Sequence, residues 1–109
     1  MTTEPQDLVQ SLYHGSIEEL NQALKKMASP SIRGANLCGL DLRGLDAAGL
    51  DMRDCYLRRS DLRGVDLSTA LLDGASIGGA KISGVLFPRN LSAEEITLAL
   101  VHGTRMRTS

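Results

Sequence analysis

Residues 35–49 read ANLCG LDLRG LDAAG, three blocks of five with an apolar residue third and a glycine fifth. The same beat runs outward both ways, from PSIRG at 30–34 to VLFPR at 85–89, twelve blocks without an insertion. The third position holds Ile32, Leu37, Leu42, Ala47, Met52, Leu57, Leu62, Leu67, Leu72, Ile77, Ile82 and Phe87, all apolar. The first is small or aliphatic except at Pro30 and Ser60, the second is aspartate in five blocks, and the fifth is glycine in eight. A period of five matches neither the 3.6 of an amphipathic helix nor the 2 of an alternating strand. It fits a short extended piece followed by a corner, with two inward residues per block and three outward ones. Aligned neighbouring turns would hydrogen-bond as parallel strands about 4.7–4.9 Å apart, each touching only its sequence neighbours.

The bulk composition suits a narrow coil better than a conventional core. One Phe, two Tyr and no Trp in 109 residues leave little aromatic volume to bury, and eleven glycines accompany the Leu, Ala, Ile and Val. A net charge of −1 supplies no long-range field for nucleic acid, anionic lipid or a charged substrate. No apolar run approaches the ~18 residues of a membrane span. The opening MTTEPQDLVQ lacks the basic and then apolar regions of a signal peptide, and two cysteines in unlike settings suggest no disulfide framework. The expectation is a single cytoplasmic domain with no nucleic-acid, membrane or small-molecule partner.

The segment from Ala35 to about Phe87 resembles the pentapeptide-repeat proteins, whose motif is A(D/N)LXX; ANLCG and SDLRG are near-perfect copies. The resemblance implies an all-β solenoid with helical caps: a right-handed quadrilateral β-helix, four pentapeptides to a coil and about three coils. Some members of the family mimic B-form DNA with a long, strongly acidic rod and inhibit gyrase. This chain departs from that pattern. Three coils would span only about 14 Å at the strand spacing, and seven Asp against five Arg between Ala35 and Gly74 leave a balance of −2. The tail FPRNLSAEEITLALVHGTRMR (87–107) resembles a terminal element of some bacterial, especially cyanobacterial, members.

Three segments are expected: a cap at 1–29, repeats at 30–89, and a cap with tail at 90–109. Pro5 suits a first helical turn and Gly15 a stop, with Leu8, Leu12 and Tyr13 between them. Ser16 and Glu19 have capping-box spacing before Ile17, Leu20, Leu24 and Met27, so residues 5–28 read as a helical hairpin. Ser92 and Glu95 repeat that spacing ahead of a helix ended by Gly103. Its Ile96, Leu98, Leu100 and Val101 spread over more than one face; one face closes the last coil and the surplus suits a second copy of the chain. Arg105 and Arg107 are expected to cap helix carbonyls rather than bind an acidic partner.

No catalytic, cofactor-binding or metal-binding residue is assigned. His14 and His102 sit beside glycines at helix ends, without metal-ligand spacing. Cys38 falls at an outward position, and Cys55 replaces a small inward residue. GASIGGAKISG (74–84) lacks the spacing of a phosphate loop. Asp41–Arg43, Asp51–Arg53 and Asp61–Arg63 read as surface pairs at the corners.

With four blocks per coil, residues twenty apart stack. The columns are Asp41, Asp61, Lys81; Asp46, Asp66, Leu86; and Ser31, Asp51, Leu71. Leu71 and Leu86 are then outward leucines, read as covered by the tail, with a docking patch as the alternative. Tyr56 falls between Asn36 and Ser76, Arg58 between Cys38 and Gly78, and Arg59 between Gly39 and Gly79, a Tyr–Arg–Arg knob on a low face. Tyr and Arg are enriched at binding hot spots; the alternative is solvated decoration, with an arginine stacked on Tyr56 or paired with Asp54. The expected function is a non-enzymatic protein–protein interaction module, with a structural or dimerising module as the other reading.

Overall fold

The computed structural model describes residues 4–109, apart from the side chain of His14. Parallel backbone bridges join Ser31 to Asp51, Asn36 to Tyr56, Asp41 to Asp61, Asp51 to Leu71, Tyr56 to Ser76, Asp61 to Lys81 and Asp66 to Leu86. Every pair is twenty residues apart, so residues 30–49, 50–69 and 70–89 make three successive passes over the same ground. The bonds run both ways between passes: Leu57 N donates to Ser76 O at 2.7 Å, and Ser76 N donates to Cys55 O at 3.0 Å.

Against the all-β expectation, no strand longer than an isolated bridge forms among the described residues, and the named elements are helical. The five-residue beat explains this. Only the second residue of a block is bridged before the backbone turns, so two consecutive bridges never accumulate. Each corner is closed by an N–H to the third-position carbonyl, as Leu40 N to Leu37 O at 3.2 Å. Except at Thr69, the residue before the closing N–H takes positive φ, as a type II turn requires, which favours glycine; Gly39 has φ 73°. Two blocks put side chains there instead, Asp54 at φ 62° and Arg59 at φ 58°.

From Ile32 to Ile77 every third-position side chain is at most 2% exposed, each large one contributing about 1.5–3 kcal/mol of burial. Ser60, the polar first-position exception, is buried because its hydroxyl donates to Leu57 O at 2.7 Å. In the last pass Ile82, Val85 and Phe87 are only half-buried.

The amino-terminal end is covered by helix α1 (Pro5–Leu8), a 3₁₀ segment (Val9–His14) and helix α2 (Ile17–Lys25). The first limb of the expected hairpin is thus largely 3₁₀. Its three-residue period puts Val9 and Leu12 on one buried face and turns Tyr13 outward. Met27 lies beyond α2. Two side-chain amides stand in for a missing pass. Gln6 accepts from Asn36 N at 2.9 Å and donates to Asn36 O, while Asn21 accepts from Asp46 N at 2.8 Å and donates to Gly44 O at 2.9 Å.

At the other end α3 (Ala93–His102) starts on Ser92, whose hydroxyl accepts from Glu95 N at 3.1 Å, and stops at Gly103 with φ 71°. The chain then returns in extended form: Gly74 N donates to Met106 O at 2.7 Å and Met106 N to Ala75 O at 2.9 Å. Met106, which the block pattern gave no reason to expect inside, is buried. Asp73 secures this return by accepting from both the N–H and the hydroxyl of Thr108 at 2.9 Å. No helix of the described residues is long and apolar enough to cross a membrane.

Candidate protein-interaction face

The preference for aspartate at the second position has a local cause. Its carboxylate accepts the N–H two residues on, as Asp41 from Arg43 N at 3.1 Å and Asp61 from Arg63 N at 3.2 Å, fixing the turn from outside. Where arginine follows, the same carboxylate takes the guanidinium in a two-point pair, with Arg63 at 2.9 and 2.7 Å. Asp41–Arg43 and Asp51–Arg53 repeat the arrangement. The arginine hydrogen bonds hold the carboxyls of Asp41, Asp51 and Asp61 below the usual carboxylate range.

Block 55–59 breaks this scheme. Tyr56 occupies the second position and offers no carboxylate, so Arg58 loses both the turn acceptor and the ion partner. The other fourth-position arginines, Arg33, Arg43, Arg53 and Arg63, are all ion-paired, Arg33 with Asp54 of the next pass at 3.3 Å. Among the described residues neither Arg58 nor Arg59 has a carboxylate within ion-pair distance. Tyr56 is 43% exposed while its backbone is bridged on both sides, to Asn36 and to Ser76.

Instead of reaching solvent alone, Arg58 donates to the carbonyl of Gly103 at 3.4 Å, at the end of α3. Gly78 lies against this turn, where a Cβ would stand 3.4 Å from Gly103 Cα, in van der Waals contact. Arg59 lies across Gly79, where a Cβ would be 3.4 Å from its Cγ. The two arginines, the two glycines and the last turn of α3 with His102 line a shallow, open cleft of about 370 Å³. Arg58 therefore takes the role expected of Arg105 and Arg107. Arg107 turns the other way, its N–H donating to Glu95 at 3.1 Å, because the returning tail carries it past the start of α3.

The remaining positions of interest scatter. Leu71 is 48% and Leu86 58% exposed, so the tail does not cover them. Its backbone bonds go to Gly74, Ala75 and Asn90, with Gly79 meeting α3 at Leu100, and to neither leucine. Ile96 and Leu100 pack partly against the core, whereas Leu98 and Val101 stay exposed, Val101 at 67%. Cys55 is buried, its thiol donating to Ile32 O and pushed by burial up to about 12, which leaves it unreactive. Cys38 is half-buried and free. His14 lies outside the described side chains, and among the described residues no cluster of His, Cys, Asp or Glu is arranged to hold a metal.

Residues 51–87 match the family model described as Pentapeptide repeats, in eight copies. Blocks 30–49 fall outside that match, although Ile32, Leu37 and Leu42 are buried like their successors. No curated protein and no solved structure matches the chain. Together with the twenty-residue bridging and the fifth-position corners, the eight matched copies identify residues 51–87 as pentapeptide repeats.

Proposed function

We propose that the chain is a non-enzymatic, cytoplasmic protein–protein interaction module, a small adaptor, regulator or assembly factor presenting a rigid face to another protein. In this reading the three passes are a right-handed quadrilateral β-helix over residues 30–89, with 1–29 and 90–109 as end caps. The observation that carries it is Tyr56, 43% exposed and two and three residues before arginines without carboxylate partners, on backbone bridged above and below. A face already held in place loses little conformational freedom on binding, and Tyr and Arg are the side chains that anchor interfaces. DNA mimicry has less support, because Asp41, Asp51 and Asp61 are each neutralised by an arginine. The test is the double variant Tyr56→Ala/Arg59→Gly, assayed against any partner recovered by pull-down. A retained fold, melting no lower than the unaltered chain, with about tenfold weaker binding or worse is expected; unchanged binding removes this face.

A second reading, dimerisation through α3, is favoured by Leu98 and Val101, which are 40% and 67% exposed on one short helix. Light scattering over a concentration series tests it, and a monomer throughout sinks it.

A further inference from the structure

We propose that the Tyr56–Arg58–Arg59 face recognises an acidic peptide segment, whose carboxylates are taken by the two guanidiniums in the cleft beside the end of α3. The inference rests on the interaction reading above and adds the chemistry of the partner.

Charge complementarity carries it. The fourth-position arginines with aspartates beside them are satisfied internally; Arg58 is left without one because Tyr56 replaces the aspartate of its block. Its bond to Gly103 O uses one of the five N–H donors of a guanidinium, holding the group in place and leaving the others for a ligand. Arg59 makes no side-chain hydrogen bond among the described residues, and its left-handed backbone, φ 58°, sets it at the corner next to Arg58. The cleft lining includes Arg58, Arg59 and His102 and contains no carboxylate. Gly78 and Gly79 keep its floor low, and the exposed Val101 supplies an apolar edge. Adjacent guanidiniums, one of them held in place, are suited to two-point carboxylate recognition. An acidic segment with interspersed apolar residues fits both features.

A nucleic acid fits less well. Its affinity comes from neutralising many phosphates along a backbone, and this basic patch is a single cluster on a chain of net charge −1. A second copy is the other acidic candidate, since Asp46 and Asp66 have no basic partner among the described residues. Those aspartates belong to blocks 45–49 and 65–69, two blocks round from 55–59, so the contact would join unlike faces and build open chains.

The test selects binders to the full chain from a random peptide library and measures the enriched peptides by fluorescence anisotropy at low and high salt. The expected result is an acidic consensus that weakens with salt and loses about tenfold or more in affinity for Arg58→Gln/Arg59→Gln. Arg43→Gln, which removes an internally paired arginine, should leave binding unchanged. Melting curves separate lost recognition from lost folding, and Arg59→Gln alone, which breaks no side-chain hydrogen bond, should still weaken binding. A non-acidic consensus, or an acidic one indifferent to both arginines, overturns the proposal. If that consensus is still weakened by Tyr56→Ala, the interaction face survives without its acidic partner; if nothing is enriched, or Tyr56→Ala also has no effect, both readings fall. Concentration-dependent chains of the protein alone, abolished by the arginine pair, would put a second copy in place of the peptide and overturn it as well.

Discussion

Blocks 55–59 and 60–64 follow one another round a single corner. Each bridges to the pass before and the pass after, Tyr56 to Asn36 and Ser76, Asp61 to Asp41 and Lys81. Each buries its third residue completely, Leu57 and Leu62. Outside they diverge. Asp61 absorbs the charge of Arg63 and takes its N–H, whereas Tyr56 does neither and Arg58 turns to Gly103. The contrast teaches that interior and backbone are insensitive to the second-position side chain, while that side chain decides whether the charge two residues on is neutralised at home or left for a partner.

The interior half of the comparison carries the largest effects. Leu57→Ala and Leu62→Ala should each cost about 2–5 kcal/mol, with similar values for the two blocks, as read by urea denaturation. A large difference would mean that the blocks are not equivalent inside. Corners come next. Gly74→Ala should cost about 1–2 kcal/mol from its φ of 80° alone, the Asp54 carboxylate swinging aside from the new Cβ. Arg59→Gly runs the other way, relieving a left-handed side chain to gain up to about 1–2 kcal/mol. Loss of stability in Arg59→Gly would show that the arginine contributes to the fold rather than straining it.

Much of this was legible from the period. Third-position apolar residues, fifth-position glycines and pairs at twenty residues are direct consequences of one repeating unit, so the period alone sets Tyr56 between Asn36 and Ser76. The ends were not legible in the same way. Gln6 and Asn21 close backbone groups thirty and twenty-five residues away, and Arg58 meets Gly103 at a separation of forty-five, contacts that no period encodes. Met106 is buried only because the chain reverses after Gly103. Leu71 and Leu86 stayed exposed for the same reason: the tail's course is set by where bare backbone is available, at Gly74 and Ala75, rather than by where leucines are.

The exterior half of the comparison is tested most directly by making one block resemble the other. Tyr56→Asp restores the carboxylate two residues before Arg58, and the arrangement at Asp61–Arg63 shows what should follow. Arg58 pairs at home, the N–H of its turn gains an acceptor, and affinity for an acidic peptide falls about tenfold, roughly 1.4 kcal/mol, with no loss of fold. Undiminished binding in Tyr56→Asp would mean that Arg58 is not the group that the tyrosine sets free.

The smallest effect is a difference in acid sensitivity. Hydrogen bonds from arginine hold Asp41, Asp51 and Asp61 below the usual carboxylate range, so folding favours their ionised forms. For a depressed carboxyl the contribution is present above the unfolded value, about 3.9, and is lost as pH falls through the folded one. Melting temperature should therefore hold near neutral pH and decline below about pH 4, where the unfolded chain binds more protons than the folded one. Block 60–64 takes part in that decline and block 55–59, with no carboxylate at its second position, does not. Asp61→Asn keeps an oxygen for Arg63 N and removes the titrating charge, so its melting temperature should fall less steeply in acid than that of the unaltered chain. Tyr56→Asp should fall more steeply, because it adds one more arginine-held carboxyl. If all three proteins share one acid profile, the exposed pairs are too well solvated to bias folding, and the distinction between the two blocks is confined to binding.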